Sequence, residues 1–420
     1  MNALAITLLQ IVIVTISARA MAMLLRRLGQ PAVIGEIAAG ILLGPSLFGL
    51  IAPGLFATVF PANSMPTLLA LSQIGLILFM FLVGLEFAPE LVRERPHTVV
   101  VISHVSIIVP FILGTALAVY LYPRVAGPGV AYRSFVLFLG TSMSITAFPV
   151  LARILEERQL LKTKIGNTVI ACAAVDDVTA WCILAFVVML ARAGDPMRFA
   201  MQLVLLAVYV VVMLFVVRPR LKQPSLTVAL LLVFASAWST ELLGIHALFG
   251  AFLAGAIMPR DAHLREALAG HLRGLTSIVF LPLFFAVTGL RTNIGSLATP
   301  ELWLCCALVL LVAIVGKFGG ATLSAVSVGL SWREASAIGV LMNTRGLMEM
   351  VVVNIGLEIG VVSPSLYTMI VIMALVTTAM TSPLLDVIKV RAIPLPTLVR
   401  PPASSPLDPD ASGATRSQRG

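Results

Sequence analysis

In the segment AAVDDVTAW, Ala173–Trp181, two carboxylates stand side by side, Asp176 and Asp177, in a run that is otherwise hydrocarbon. A third isolated charge, Lys317, sits in the apolar run AIVGKFGG. It is about ten residues, or roughly 15 Å of helix, from the nearer end of that run, too far for its stem to carry the ammonium out to water. A charge at the centre of a membrane helix costs roughly 2.5–3.5 kcal/mol on insertion scales, so these three groups need one another or water. Adjacent helix positions point about 100° apart, and the two aspartates therefore cannot share one partner symmetrically. One can face a neighbouring helix while the other faces a cavity. A static brace between one aspartate and Lys317 accounts for one carboxylate and leaves the second unexplained. Two carboxylates and one ammonium in low dielectric make a site that holds a proton or the charge of a hydrated cation.

Two further apolar segments are interrupted by polar residues near their midpoints. In GTSMSITAFPVLARIL, Thr141, Ser142, Ser144 and Thr146 offer hydroxyls, and Pro149 cannot donate a backbone hydrogen bond. In LMNTRGLMEMVVVNIG, Asn343, Thr344, Arg345, Gly346 and Glu349 fall mid-segment. Breaks of this kind would leave half-helix ends at mid-depth, presenting unpaired carbonyls and amides to an ion. Arg345 and Glu349, four residues apart on one helix face, can neutralise each other without removing the break at Gly346. Glu36, Glu86 and Glu241 read as interfacial, and His104 and His246 as packed. The four cysteines lie in apolar stretches without metal-ligand spacing and read as small hydrophobes. No nucleophile–base–oxyanion set or cofactor loop is present, so no enzyme reading and no cofactor follow.

The elements that position these groups follow from composition. With 59% hydrophobic and 11% charged residues in 420, the chain reads as an all-α polytopic membrane protein. Apolar runs place about thirteen spans near 4–25, 32–51, 67–87, 98–122, 133–155, 165–190, 199–217, 225–243, 245–259, 273–290, 302–327, 334–359 and 364–388. Loops after odd-numbered spans carry fifteen Lys and Arg, among them Arg26, Arg27, Arg93, Arg95, Lys162 and Arg333; loops after even-numbered spans carry five. Positive residues collect on the cytoplasmic side, which puts the N-terminus outside, the C-terminus inside, and explains the net charge of +9 without nucleic acid. Arg26 and Arg27 follow the first apolar run, which suits a retained first helix of a cell (inner) membrane protein. Residues 391–420 are rich in Pro, Ser and Gly and read as a disordered cytoplasmic tail. No G-x-G-x-x-G motif follows the last span, so no nucleotide-sensing fold is expected there.

With span seven as a linker, two sets of six spans remain, and the second set starts from the opposite side of the membrane. This is an inverted repeat. AAGILLGP in span 2 echoes LAGAIMPR in span 9, and FLVGLEF in span 3 echoes AVTGLRT in span 10. The interrupted spans 5 and 12 are partners under the same repeat, and paired interruptions of this kind point to a transporter's binding site.

These residues also carry a family resemblance. GQPAVIGEIAAGILLGPSLFG, SITAFPVLARILEERQLL, VDDVTAW, HALFGAFLAGAIMPR, FLPLFFAVTGLRTNIG and NTRGLMEMVVVNIG occur in order. Over about residues 5–390 the chain resembles the monovalent cation:proton antiporter superfamily, in the branch of bacterial sodium or potassium/proton antiporters and plant cation/proton exchangers. The resemblance implies crossed, discontinuous spans 5 and 12, and exchange of Na⁺ or K⁺ for H⁺ by alternating access. It implies Asp177 as the ion and proton carrier, Asp176 as its acidic partner paired with Lys317, and Ser144 and Thr146 beside them. It also implies a panel formed by 1–90 and 225–291 that dimerises, a moving core of 98–190 and 302–389, and a linker helix at 199–217. Asp-Asp stands where many plant exchangers and potassium-efflux relatives carry Asn-Asp or Gln-Asp, which favours electrogenic exchange. A channel-like potassium efflux pathway without proton coupling is the alternative, disfavoured because no T-V-G-Y-G filter segment is present.

Overall fold

The computed structural model describes residues 3–86, 96–160, 163–193, 196–244 and 246–388; the expected disordered tail, with Arg93, Arg95 and Lys162, lies outside them. The chain runs through α1 (Ala3–Arg27), α2 (Ala32–Leu43), the short α3 (Phe48–Ile51) and α4 (Pro53–Val59), α5 (Met65–Glu86), α6 (Pro96–Val125), α7 (Tyr132–Ser144), α8 (Phe148–Glu157), α9 (Lys164–Ala193) and α10 (Pro196–Val211). It continues through α11 (Leu226–Leu242), α12 (Ala247–Ala256), α13 (Ala262–Leu275), α14 (Leu281–Leu290), α15 (Pro300–Ile314), α16 (Gly320–Ser327), α17 (Trp332–Met342), α18 (Leu347–Glu358), α19 (Pro364–Ala379) and α20 (Thr381–Ile388). Single π-helical turns, Thr276–Phe280 and Val315–Gly319, join α13 to α14 and α15 to α16 without a break. Lys317 lies in the second of these.

Among the described residues nine helices are long and apolar enough to cross a bilayer, or ten if the bent pair α17 and α18 counts as one span. The thirteen expected from the sequence exceed this because α11 and α12 are only 17 and 10 residues long, short of the roughly 20 needed for a 30 Å hydrocarbon core. The segment expected as span 5 is likewise split into α7 and α8. Helix starts follow local chemistry. The hydroxyls of Thr299, Ser331 and Ser363 and the carboxylate of Asp261 accept a backbone N–H of the first turn. Ser331 with Glu334 completes a capping box. The apolar helix over Met197–Arg220 is largely exposed, with Met201, Val204, Val208, Val211 and Phe215 on its surface, so it is an apolar strut on the outside of the bundle.

Helix packing falls mainly into two groups: α1, α2, α5, α11, α12 and α14, and then α6, α7, α9, α15, α16, α17, α18 and α19. Glycine pins the first group together. A Cβ on Gly40 would stand 2.0 Å from the Ala286 carbonyl oxygen, and one on Gly289 would stand 2.2 Å from that of Ile37. A Cβ on Gly84 would stand 2.2 Å from the Phe252 carbonyl oxygen, and one on Gly255 2.2 Å from that of Phe81. Span 2 thus crosses span 10 backbone to backbone, as span 9 crosses span 3. Gly35 meets Ala22 of span 1, and Gly250 meets Ser236 of span 8. Exchanging spans 1, 2 and 3 for 8, 9 and 10 maps each contact onto its counterpart.

A charged crossing at mid-bundle

The two interruptions read from the sequence meet. After Ser144 the chain runs extended through Ile145 (φ −83°, ψ 139°) to Ala147 (φ −91°, ψ 90°), and α8 starts at Phe148 with proline in its first turn. Across from it, α17 ends at Met342 and α18 begins at Leu347, bent by 41°. The Ala147 N–H donates to the Thr344 carbonyl at 3.0 Å. The Thr146 hydroxyl lies 3.1 Å from the Met342 carbonyl oxygen. A Cβ on Gly346 would stand 2.7 Å from Val150 Cγ2, so any larger residue there must push the valine aside for the two broken segments to approach this closely. Thr378 of α19 clasps the Arg345 backbone, its hydroxyl accepting from the N–H at 3.0 Å and donating to the carbonyl at 2.6 Å.

The carbonyls at the end of α7, expected to face an ion, are instead taken by protein cations. The Arg345 guanidinium donates from Nη1 to the Ser142 carbonyl and from Nη2 to the Met143 carbonyl, each at 2.6 Å, and Nη1 also reaches Glu349 Oε2 at 2.8 Å. Lys317 Nζ donates to the Ser144 carbonyl at 2.5 Å. A helix C-terminus carries partial negative charge and orphan carbonyls, and two buried cations answer both. Arg345 and Glu349 thus form the expected i,i+4 pair, and Arg345 is in addition a cap on another helix. The Ser144 hydroxyl turns back to the Gly140 carbonyl at 2.7 Å, so it is the carbonyl of Ser144, not its hydroxyl, that meets the charged cluster.

The two aspartates have different surroundings. Lys317 Nζ donates to Asp176 Oδ2 at 2.9 Å, and the Thr146 hydroxyl lies 2.8 Å from the same oxygen. Ser103 of α6 donates to Asp176 Oδ1 at 2.8 Å. Ser106 stands 3.3 Å and 3.5 Å from the two oxygens. Asp176 is therefore wrapped in protein donors. Asp177 is 4% exposed; its carboxylate meets the Phe148 backbone N–H at the start of α8, and its Oδ1 has no hydrogen-bond partner among the described residues. The sequence reading missed Ser103 and Ser106. Their i,i+3 spacing in VVVISHVSIIVP was visible, but nothing in the sequence says which face of span 4 meets span 6.

The two ends of the bundle differ around this crossing. On the end that carries Arg26, a cavity of about 380 Å³ runs past Arg19 and Glu36 to Val150 and Leu347 in the first turns of α8 and α18. Glu36 is 6% exposed, an interior position where the sequence suggested an interfacial one, because α1 and α14 cover the start of α2. On the opposite end, side chains close the gap between the helix groups. Gln73 donates to Glu358 at 3.1 Å, Arg291 donates to Asn354 Oδ1 at 3.0 Å, and Arg291 pairs with Glu358 at 3.6 Å. Glu241 pairs with Arg192 at 3.2 Å on the exposed surface.

The sequence pattern of the family described as sodium/hydrogen exchanger, transmembrane, matches residues 11–387. The chain is 43% identical over 407 residues to the Na⁺/H⁺ antiporter NhaS4 of Synechocystis sp., covering 94% of this chain and 99% of that protein. It is 39% identical to cation/H⁺ antiporter 17 of Arabidopsis thaliana over 91% of this chain, but spans only 48% of that longer protein. The fold is similar to that of the sodium proton antiporter MjNhaP1 from Methanocaldococcus jannaschii, with a TM-score of 0.62 at 17% identity, covering 91% of this chain and 96% of that one.

Proposed function

The chain belongs to the transmembrane sodium/hydrogen exchanger family, and from that premise we propose that it exchanges a monovalent cation, Na⁺ or K⁺, for H⁺, the two competing for Asp177. The observation that carries this reading is the inequality of the acid pair. Asp176 is engaged by Lys317, Ser103 and Thr146, whereas Asp177 keeps a buried, unpartnered oxygen at the N-terminus of α8. A buried carboxylate needs a compensating charge, and a proton or a cation each supplies one. Occupation by one therefore excludes the other, which is the requirement for coupled exchange.

The two ends of the bundle support alternating access. The cavity beside Arg19 and Glu36 leads to the crossing from one side, and the Gln73–Glu358 and Arg291–Asn354 bridges shut the other. In this proposal the α6–α9 and α15–α19 helices move as a core against a panel built on α1–α5 and α11–α14, with span seven as the linker between the halves. The same reading places the protein in the cell (inner) membrane as a homodimer, N-terminus outside and C-terminus cytoplasmic, so that the cavity opens to the cytoplasm.

Reconstituted in liposomes with a trapped pH indicator, the protein is expected to collapse a pH gradient on addition of Na⁺ or K⁺. Asp177→Asn is expected to lower the rate by at least about 100-fold, since removing the exchanging carboxylate removes coupling itself. Full activity in that variant would sink the proposal. Cation flux without proton movement would favour a channel instead.

A further inference from the structure

The geometry points to Ser103 and Ser106 of α6 as positioning residues for the exchange: they hold Asp176 away from the transported ion, so that the ion meets Asp177 alone. This rests on the reading of Asp177 as the exchanging carboxylate. Of the donors around Asp176, Lys317 and Thr146 both address Oδ2, at 2.9 and 2.8 Å. Oδ1 receives only one short hydrogen bond among the described residues, from Ser103 at 2.8 Å. Ser106 donates to the Ser103 carbonyl at 2.8 Å and stands farther from the carboxylate, so it backs Ser103 instead of replacing it. Ser103 and Ser106 are both fully buried. Two oxygens held from two sides leave the carboxylate no freedom to turn about its side-chain bonds.

Release of Oδ1 changes what the cation meets. Without Ser103 the oxygen is a buried acceptor left with only the long 3.5 Å contact to the Ser106 hydroxyl, a costly state. Lys317 stays on Oδ2, so a cation at the neighbouring Asp177 is the further positive charge toward which the freed oxygen can turn. The ion would be shared by two carboxylates, and an ion held by two negative charges in a low-dielectric site binds more tightly and leaves more slowly. The other charged groups nearby, Arg345 and Glu349, are committed to each other and to α7 and do not substitute. The serines thus trade cation affinity for turnover.

The test is a cation titration of exchange in proteoliposomes at fixed pH, for wild type, Ser103→Ala, Ser103→Thr, Ser106→Ala and Asp177→Asn. Ser103→Ala is expected to lower the apparent KM on the order of ten-fold and to lower the maximal rate with it. Ser106→Ala is expected to move both in the same direction by less, and Ser103→Thr, which keeps the hydroxyl, to restore wild-type values. A merely structural role would lower the rate and leave KM in place; that result, or a raised KM, overturns the inference. If Ser103→Ala does not reach the membrane folded, Ser103→Cys takes its place with the same expected direction. Active Asp177→Asn would overturn the underlying reading. Inactive Asp177→Asn together with a wild-type KM in Ser103→Ala overturns the role of the serines alone.

Discussion

Lys317 serves two acceptors with one nitrogen, the Asp176 carboxylate and the Ser144 carbonyl, and its side chain is fully buried. Removing one member of a buried pair strands the other, at a cost of roughly 3–5 kcal/mol. Lys317→Ala is therefore expected to lower the melting temperature in detergent clearly and to displace the pH profile of exchange; an unchanged melting temperature and profile would remove the pair from any structural or functional role. Arg345 is a sharper case, because its two terminal nitrogens reach two carbonyls and a carboxylate in fixed directions. A lysine keeps the charge and loses the planar fork. Arg345→Lys is expected to destabilise by about 1–3 kcal/mol, read as a fall in thermal midpoint. A wild-type midpoint would mean that charge alone suffices there.

At the scale of elements, the crossing depends on Gly346. An alanine there would press its Cβ into Val150, and Gly346→Ala is expected to slow exchange at least several-fold while leaving the amount of folded protein near wild type, since one valine methyl can yield where a backbone could not. Folded protein with normal exchange would show that the crossing has slack. Both breaks were legible in the sequence: Pro149 and Gly346 interrupt apolar runs, and the hydroxyls and charges cluster around them. The destination of the carbonyls was not. Sequence places Arg345 and Lys317 on their own helices, whereas their partners lie on α7, about 200 and 170 residues away. Hydroxyls were equally ambiguous, because Ser144, Thr141 and Thr179 all return their protons to their own helices while Ser103 and Thr146 spend theirs on Asp176. Residue type does not separate these two uses; only the direction each helix faces does. The π turn at Val315–Gly319 belongs to the same class of hidden information, since it sets where Lys317 points without any proline to announce it.

For the molecule as a whole, the bridges Gln73–Glu358 and Arg291–Asn354 join the two helix groups at one end. If they latch the conformation seen here, Arg291→Ala with Glu358→Gln should shift the resting population toward the opposite opening. A cysteine placed at Val150, on the cavity floor, is then expected to react more slowly with a thiol reagent supplied from the Arg26 end; unaltered labelling would show that the bridges do not set the resting state. The glycine crossings carry a different lesson. Gly40 with Gly289 lies beside Arg291, and Gly84 with Gly255 lies toward Glu86, at the other end of the bundle. The protein thus contains one joint built twice, in opposite senses, under a single covalent chain. Gly40→Ala and Gly255→Ala are matched replicates of one packing experiment, and loss of folded protein is expected from both. Whatever difference remains between the replicates cannot come from the joint. It measures the unequal loads that the two ends of the molecule bear.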